Sequence, residues 1–316
     1  MICGMNKITV THSNEPLFDN VDNYTTTISA NNDSADIYFP KPTDLNSRTD
    51  AYSFPIALLL QGVNVDKSNY SKFATLVASY GFIVVVPNHE KSVPELAFTG
   101  LLSETSQIEA VQAQIKAENS NSASPIAGIV NTQKLALLGH SWGGAVGLSA
   151  IANICLPILC DRDYNRPDEL VAGAFFGANL RHPTTQEFVS ICNSGIPIAL
   201  LQGNNDSIAL FERAEKTYEQ IQTPPKILIN VSGVNHYGIT NTNNPDGAAP
   251  DANMGAIAQD VAVETVARWS GLFLRASVLN DKDAIDYIYS QGDELDENVS
   301  VISQLLEPSF IRGAVL

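Results

Sequence analysis

The chain has 316 residues, of which 44% are hydrophobic and 16% charged, and a net charge of −16. This length and composition fit a globular enzyme with room for a sizeable core. The acidic balance argues against nucleic acid and anionic membrane surfaces as partners, since both repel a chain of this sign.

Met1 to Asn20 lacks a continuous apolar core of signal-peptide length and carries Asn14, Glu15 and Asp19. The longest apolar stretches, such as Val171–Ala178, are far too short to span a bilayer. Unless a leader has been removed, a cytoplasmic protein without a membrane anchor is expected. Tyr24–Ile28 and Ala35–Phe39 read as the two leading strands of a hairpin, and Pro55–Gln61 as a fully buried strand. Tyr70, Phe73, Leu76, Val77 and Tyr80 have helix spacing, and Gly81 ends that helix before a strand at Phe82–Pro87. A helix over Thr105–Ala117 and a polar Asn/Ser linker lead to the apolar run at Leu135–Leu138.

That run ends in Gly139-His140-Ser141-Trp142-Gly143, followed by a small-residue helical segment from Ala145 to Ala152. Strand, Gly-x-Ser-x-Gly and helix in this order are what a nucleophile elbow requires. Residues two before and two after the serine must be nearly side-chain-free, and Gly139 and Gly143 meet that demand. Ser141 is therefore the candidate nucleophile.

Cys155–Glu169 reads as an irregular insertion. Cys3, Cys155, Cys160 and Cys192 match no zinc spacing. Cys155 and Cys160 are either a local disulfide or small buried residues; without a secretion signal, reduced thiols are expected. Val171–Phe176, Ile196–Gln202 and Lys226–Val231 are three more strands, with a helix from about Ile208 to Gln222 between the last two. A polar loop, Asn241–Asn253, precedes a long terminal helix with Ile257, Val261, Trp269, Leu272 and Phe273 near one face. Strands alternating with amphipathic helices predict an α/β fold: a mostly parallel central sheet, helices on both faces and leading antiparallel strands. No repeat or composition shift marks a second domain. One domain over residues 1–316 is expected, with a catalytic core at about 24–276 and a C-terminal helical extension at about 277–316.

A serine hydroxyl needs a base to take its proton. Of five histidines, His12 and His182 lie in polar segments, His140 sits inside the turn, and His89 follows a strand. His236 follows the last strand of the series and is the expected base, with His89 as runner-up. Asp206, just after Ile196–Gln202, is the expected carboxylate that fixes the base's tautomer. The alternative is a helix cap near Ser207. Ser141, Asp206, His236 is the nucleophile–acid–base order of the α/β-hydrolases. The oxyanion donors are expected to be the backbone N–H groups of Trp142 and of Val63, in Gln61-Gly62-Val63. Gly62, Phe176, Ile208 and Tyr237 are candidates for the walls of an apolar cleft, or plain core. Asp161 with Asp163, and Asn241 and Asn243 with Asp246, offer oxygen ligands but no complete pattern, so no metal is expected.

Leu58–Gly62, the helix Asn69–Tyr80, Tyr80–Pro87 and Gly139–Gly144 make the chain similar to the chlorophyllases, particularly the cyanobacterial type, within the α/β-hydrolase superfamily. The resemblance runs from about Ala35 to Trp269. Asn205-Asp206-Ser207-Ile208-Ala209 resembles the cutinase-like polyester hydrolases, and dienelactone-hydrolase-type esterases share the plan. Two departures concern the substrate rather than the triad: Trp142 stands where plant chlorophyllases carry Arg, and Gln61 where His-Gly is usual. The resemblance implies a serine esterase cleaving the phytyl ester of chlorophyll through an acyl-enzyme, with no cofactor. Its partner would be a small-molecule ester with an apolar tail, met in an open cleft with room for transient membrane contact. Two other readings stay open: a broad short-chain ester or polyester hydrolase, and an inactive hydrolase scaffold that binds pigment.

Overall fold

The protein was analysed as a computed structural model, which describes residues 14–41 and 52–306. His12 and Cys3 lie outside the described residues.

The leading hairpin forms as expected. β1 (Val21–Ile28) pairs antiparallel with β2 (Asp33–Pro40), which pairs antiparallel with β4 (Ile83–Asn88). β3 (Phe54–Leu60), buried at every residue, lies between β4 and β7 (Val130–His140), parallel to both. β8 (Leu170–Phe176), β9 (Ile198–Gly203) and β10 (Lys226–Val231) continue the sheet in parallel. β11 (Val299–Gln304) closes the far edge antiparallel to β10, giving a nine-stranded sheet in the order β1-β2-β4-β3-β7-β8-β9-β10-β11. A continuous apolar run such as β3 needs cover on both faces. Its alternate residues supply it, Ala57 and Leu59 facing one core and Ile56, Leu58 and Leu60 the other.

The first core is covered by α1 (Ser71–Ser79) and α5 (Gln259–Leu274). The second is covered by α2 (Ser106–Ser120), α3 (Trp142–Ile151) and α4 (Phe211–Gln220). Trp269, Leu272 and Phe273 of α5 are buried as expected, whereas Ile257 precedes the helix and Val261 is exposed. Short helices α6 (Lys282–Asp286) and α7 (Gly292–Leu295) follow α5. The C-terminal extension is thus not wholly helical, because the β11 backbone pairs with the open edge of β10. A second sheet, β5 (Glu90–Val93) paired with β6 (Phe98–Leu101), rises beyond β4. The arrangement is that of an α/β-hydrolase. No helix among the described residues is long and apolar enough to cross a membrane.

Cys155 and Cys160 are joined in a disulfide with Cα atoms 5.2 Å apart, against the expectation of reduced thiols; only four residues separate them, so the insertion brings their backbones within bonding range without long-range closure. Cys192 is free and exposed.

Candidate active site

Parallel strands deliver their carboxyl ends to one edge of the sheet, and the loops that follow β3, β7, β8, β9 and β10 meet there. β7 ends at His140, and Ser141 turns the chain with φ 54° and ψ −118° directly into α3. A non-glycine residue held at positive φ stores about 1–3 kcal/mol of strain, maintained by its surroundings. Here the surroundings are close-packed backbone. A Cβ at Gly143 would lie 2.1 Å from the Leu60 carbonyl oxygen, and one at Gly139 would lie 2.7 Å from the Gly144 Cα. The Ser141 N–H donates to the Phe176 carbonyl at 2.9 Å, tying the turn to the end of β8.

His236 and Asp206 are brought together. His236 Nδ1 lies 2.7 Å from Asp206 Oδ2, and both side chains are buried. A carboxylate only accepts, so the Nδ1 proton is committed to Asp206 and Nε2 carries the lone pair. The same Oδ2 accepts from Gln202 Nε2 at 3.1 Å, while Oδ1 accepts the N–H groups of Ile208 and Ala209 at 2.8 and 2.7 Å. Asp206 therefore caps a turn as well as holding the histidine. α4 itself starts only at Phe211, three residues later than the hydrophobic spacing suggested, because that turn must first close.

The Ser141 hydroxyl makes no hydrogen bond among the described residues. The Ser141 backbone is tied to Phe176, and the next residue, Gly177, lies against His236. At φ +61°, a Cβ there would stand 3.2 Å from His236 Nδ1 and 3.4 Å from Asp206 Oδ2. A glycine lets the backbone behind Ser141 pass this close to the imidazole without strain at this φ.

His140, fully buried, links two loops of the site. Gly62 N–H donates to the Tyr70 hydroxyl at 2.9 Å, and Tyr70 in turn reaches His140 Nδ1 at 2.9 Å. His140 Nε2 donates to the His236 carbonyl at 2.9 Å. Burial, then the neighbouring His236, holds the His140 pKa well below the usual imidazole range, so the ring is neutral as this chain of bonds requires.

Val63 and Trp142, the expected oxyanion donors, line one cleft with Ser141. The Val63 N–H meets no acceptor among the described residues. The Trp142 N–H is the first of α3 and has no intrahelical partner by position. The Trp142 indole instead donates to the Ser103 carbonyl at 2.9 Å. The cleft measures about 370 Å³; Leu96 from the β5–β6 hairpin and Ile158 and Leu159 from the disulfide loop form part of its wall.

Of the four residues considered for its walls, Ile208 lines the cleft. Gly62, Phe176 and Tyr237 do not. Phe176 and Tyr237 are buried around the His140 ring, and a Cβ at Gly62 would press on His140 Nδ1 at 2.7 Å. His89 stands apart in a buried group with Asp33, Glu104 and Lys91, and His182 caps its own turn. Asp161 pairs with Lys91, and the Asn241 and Asn243 side chains bond within the protein.

Asp251 had no signal in the sequence. It is buried in the polar loop, with Oδ2 accepting the His236 backbone N–H at 2.9 Å and Oδ1 accepting from the Ser207 hydroxyl. One carboxylate thus clamps the loop that carries Asp206 to the loop that carries His236. In an Asn- and Asp-rich stretch nothing distinguishes such a residue from a solvated one.

Comparison with known proteins agrees with this picture over the N-terminal part. Residues 13–155 match the Chlorophyllase family, a span that includes Ser141, Val63 and Trp142 but ends before Asp206 and His236. Over 105 residues the chain is 30% identical to Chlorophyllase-1, chloroplastic, of Citrus unshiu and to its counterpart in Citrus sinensis. The matched segment covers 33% of this chain and only 31% of the length of each relative.

Proposed function

We propose that this chain, similar to the chlorophyllases over its N-terminal part and folded as an α/β-hydrolase, is a serine carboxylic-ester hydrolase whose substrate is the phytyl ester of chlorophyll. The observation that carries the reading is the buried Asp206–His236 bond of 2.7 Å at the same sheet edge as a serine held at φ 54°. Ser141 Oγ attacks the ester carbonyl as His236 Nε2 takes its proton. The negative charge on the carbonyl oxygen is met by the Val63 and Trp142 N–H groups, each such donor being worth about 2.7–4 kcal/mol in the transition state. Asp206 keeps the imidazole oriented and stabilises its cation. Collapse breaks the ester bond, and His236 returns the proton to the departing phytol oxygen. Water, deprotonated by the same nitrogen, then cleaves the acyl-enzyme to chlorophyllide and restores the serine.

The test is incubation of the protein and its Ser141→Ala variant with chlorophyll, followed by chromatography. Chlorophyllide formed by the wild type and not by the variant is expected. Turnover of a small chromogenic ester without any chlorophyllide would replace chlorophyll by short-chain esters. A folded chain that neither hydrolyses esters nor reacts with a fluorophosphonate at Ser141 would leave a pigment-binding scaffold.

A further inference from the structure

In a chain with 34 acidic and 18 basic residues, an arginine at the surface is surrounded by potential partners. Arg162 pairs with Glu109, Arg268 with Glu264 and Asp296, and Arg275 with Asp281. Among the described residues Arg166, Arg181 and Arg213 have no acidic partner; Arg166 donates to the Ile151 carbonyl, whereas Arg181 and Arg213 both line the cleft that holds Ser141. Arg181 follows β8, and its Nε donates to Asn179 Oδ1 at 3.0 Å, which fixes the side chain and leaves both terminal nitrogens unbonded among the described residues. Arg213, in the first turn of α4, makes no side-chain hydrogen bond or ion pair among the described residues. Both are half-buried. Their charges also oppose one another: burial, then Arg213, lowers the pKa of Arg181. Holding two like charges together, partly dehydrated and without a counter-ion, is unfavourable until an anion enters between them. A guanidinium is shaped to receive a carboxylate through two parallel N–H bonds.

We propose that Arg181 and Arg213 form an anion subsite in the ester cleft, so that the protein takes esters bearing a second, free carboxylate. The inference rests on reading the cleft as an ester site and widens its substrates beyond a neutral phytyl ester. The fixed Arg181 anchors the carboxylate while Ser141 meets the ester carbonyl. Apolar Ile158, Leu159 and Ile208 cover the carbon chain between them.

The experiment compares kcat/KM for two pairs of esters, with the carboxylate on the acyl or the alcohol side: mono-4-nitrophenyl adipate against 4-nitrophenyl hexanoate, and 3-carboxyphenyl butyrate against phenyl butyrate. In at least one pair, Arg181→Gln and Arg213→Gln are expected to lower the anionic-to-neutral ratio by about ten- to a hundredfold, the range for losing a charge-assisted hydrogen bond. Arg213→Lys should restore part of it. Ratios unchanged in both pairs would overturn the subsite while leaving the esterase reading intact. If wild-type protein hydrolyses none of the four, the esterase reading is judged by the chlorophyll incubation instead. Thermal melting with free adipate then decides the subsite: a stabilisation seen in wild type and absent from R181Q/R213Q supports it, and equal shifts reject it.

Discussion

Asp251 lies in the polar loop before α5, yet it bonds the backbone of His236 and the side chain of Ser207 together. Its removal leaves the buried His236 N–H unpaired, at a cost of about 1–3 kcal/mol, and takes the acceptor from the part-buried Ser207 hydroxyl and Asn253 N–H as well. Asp251→Ala is expected to lower kcat well beyond its effect on KM, because the base and its carboxylate lose their common anchor. Asp251→Asn, which keeps one acceptor oxygen, should recover part of the loss; steady-state kinetics with denaturant unfolding check both. At this scale the sequence was legible where chemistry dictates spacing. Ser141 sits in a motif, and Asp206 and His236 each follow a strand. Gly177 and Asp251 act through backbone approach and tertiary contact, which no local pattern records. Phe176 and Tyr237, candidates for the cleft wall, face the His140 ring instead, since position along a strand says little about which way a side chain turns.

The disulfide loop and the β5–β6 hairpin are the elements least legible in the sequence. Each hairpin strand has four residues, too few for alternation to stand out, and Cys155 and Cys160 offered no cue to their redox state. Both nevertheless shape the cleft. Closing so short a loop contributes about 2 kcal/mol by restricting the unfolded chain. The Cys155→Ser/Cys160→Ser double variant is therefore expected to lose up to that much stability. KM for a hydrophobic ester should rise as the wall at Ile158 and Leu159 loosens, whereas labelling of Ser141 by a fluorophosphonate should persist. Equal melting and unchanged KM would show that the loop holds its shape without the bond. Of the buried parallel strands, β10 matches its expected bounds at both ends, because such strands are written as unbroken apolar runs, whereas β7 begins five residues before Leu135 and α4 three residues after Ile208.

Over the whole molecule, two buried histidines set opposite limits on stability. Burial opposes charge on His89, but Asp33, in hydrogen-bond contact, and Glu104 prevail and raise its pKa to about 9. A histidine raised in the folded state stabilises fully below its unfolded pKa of about 6.5, and that contribution, at most about 3 kcal/mol, is lost as pH climbs through 9. His140, depressed by burial, acts in the other sense: its contribution is present above about 6.5 and is lost as the pH falls below that value. Melting temperature should therefore decline from about pH 6.5 towards 9, and His89→Gln should flatten that alkaline limb while leaving the acid limb, as thermal scans across pH would record. The mostly parallel sheet followed from the alternation of strands and helices, whereas the added edge strand β11 did not, since its short alternating run resembles the helical extension around it.

The bonds from Gly62 through Tyr70 and His140 to the His236 carbonyl have a mechanical meaning. The loop that would cradle a developing negative oxygen and the loop that would carry the proton acceptor are splinted through the interior, behind the cleft surface. Neither can drift without dragging the other. Variation in what the cleft accepts is then confined to its outer rim, the hairpin, the cystine loop and the arginines, where residues change without disturbing the splint.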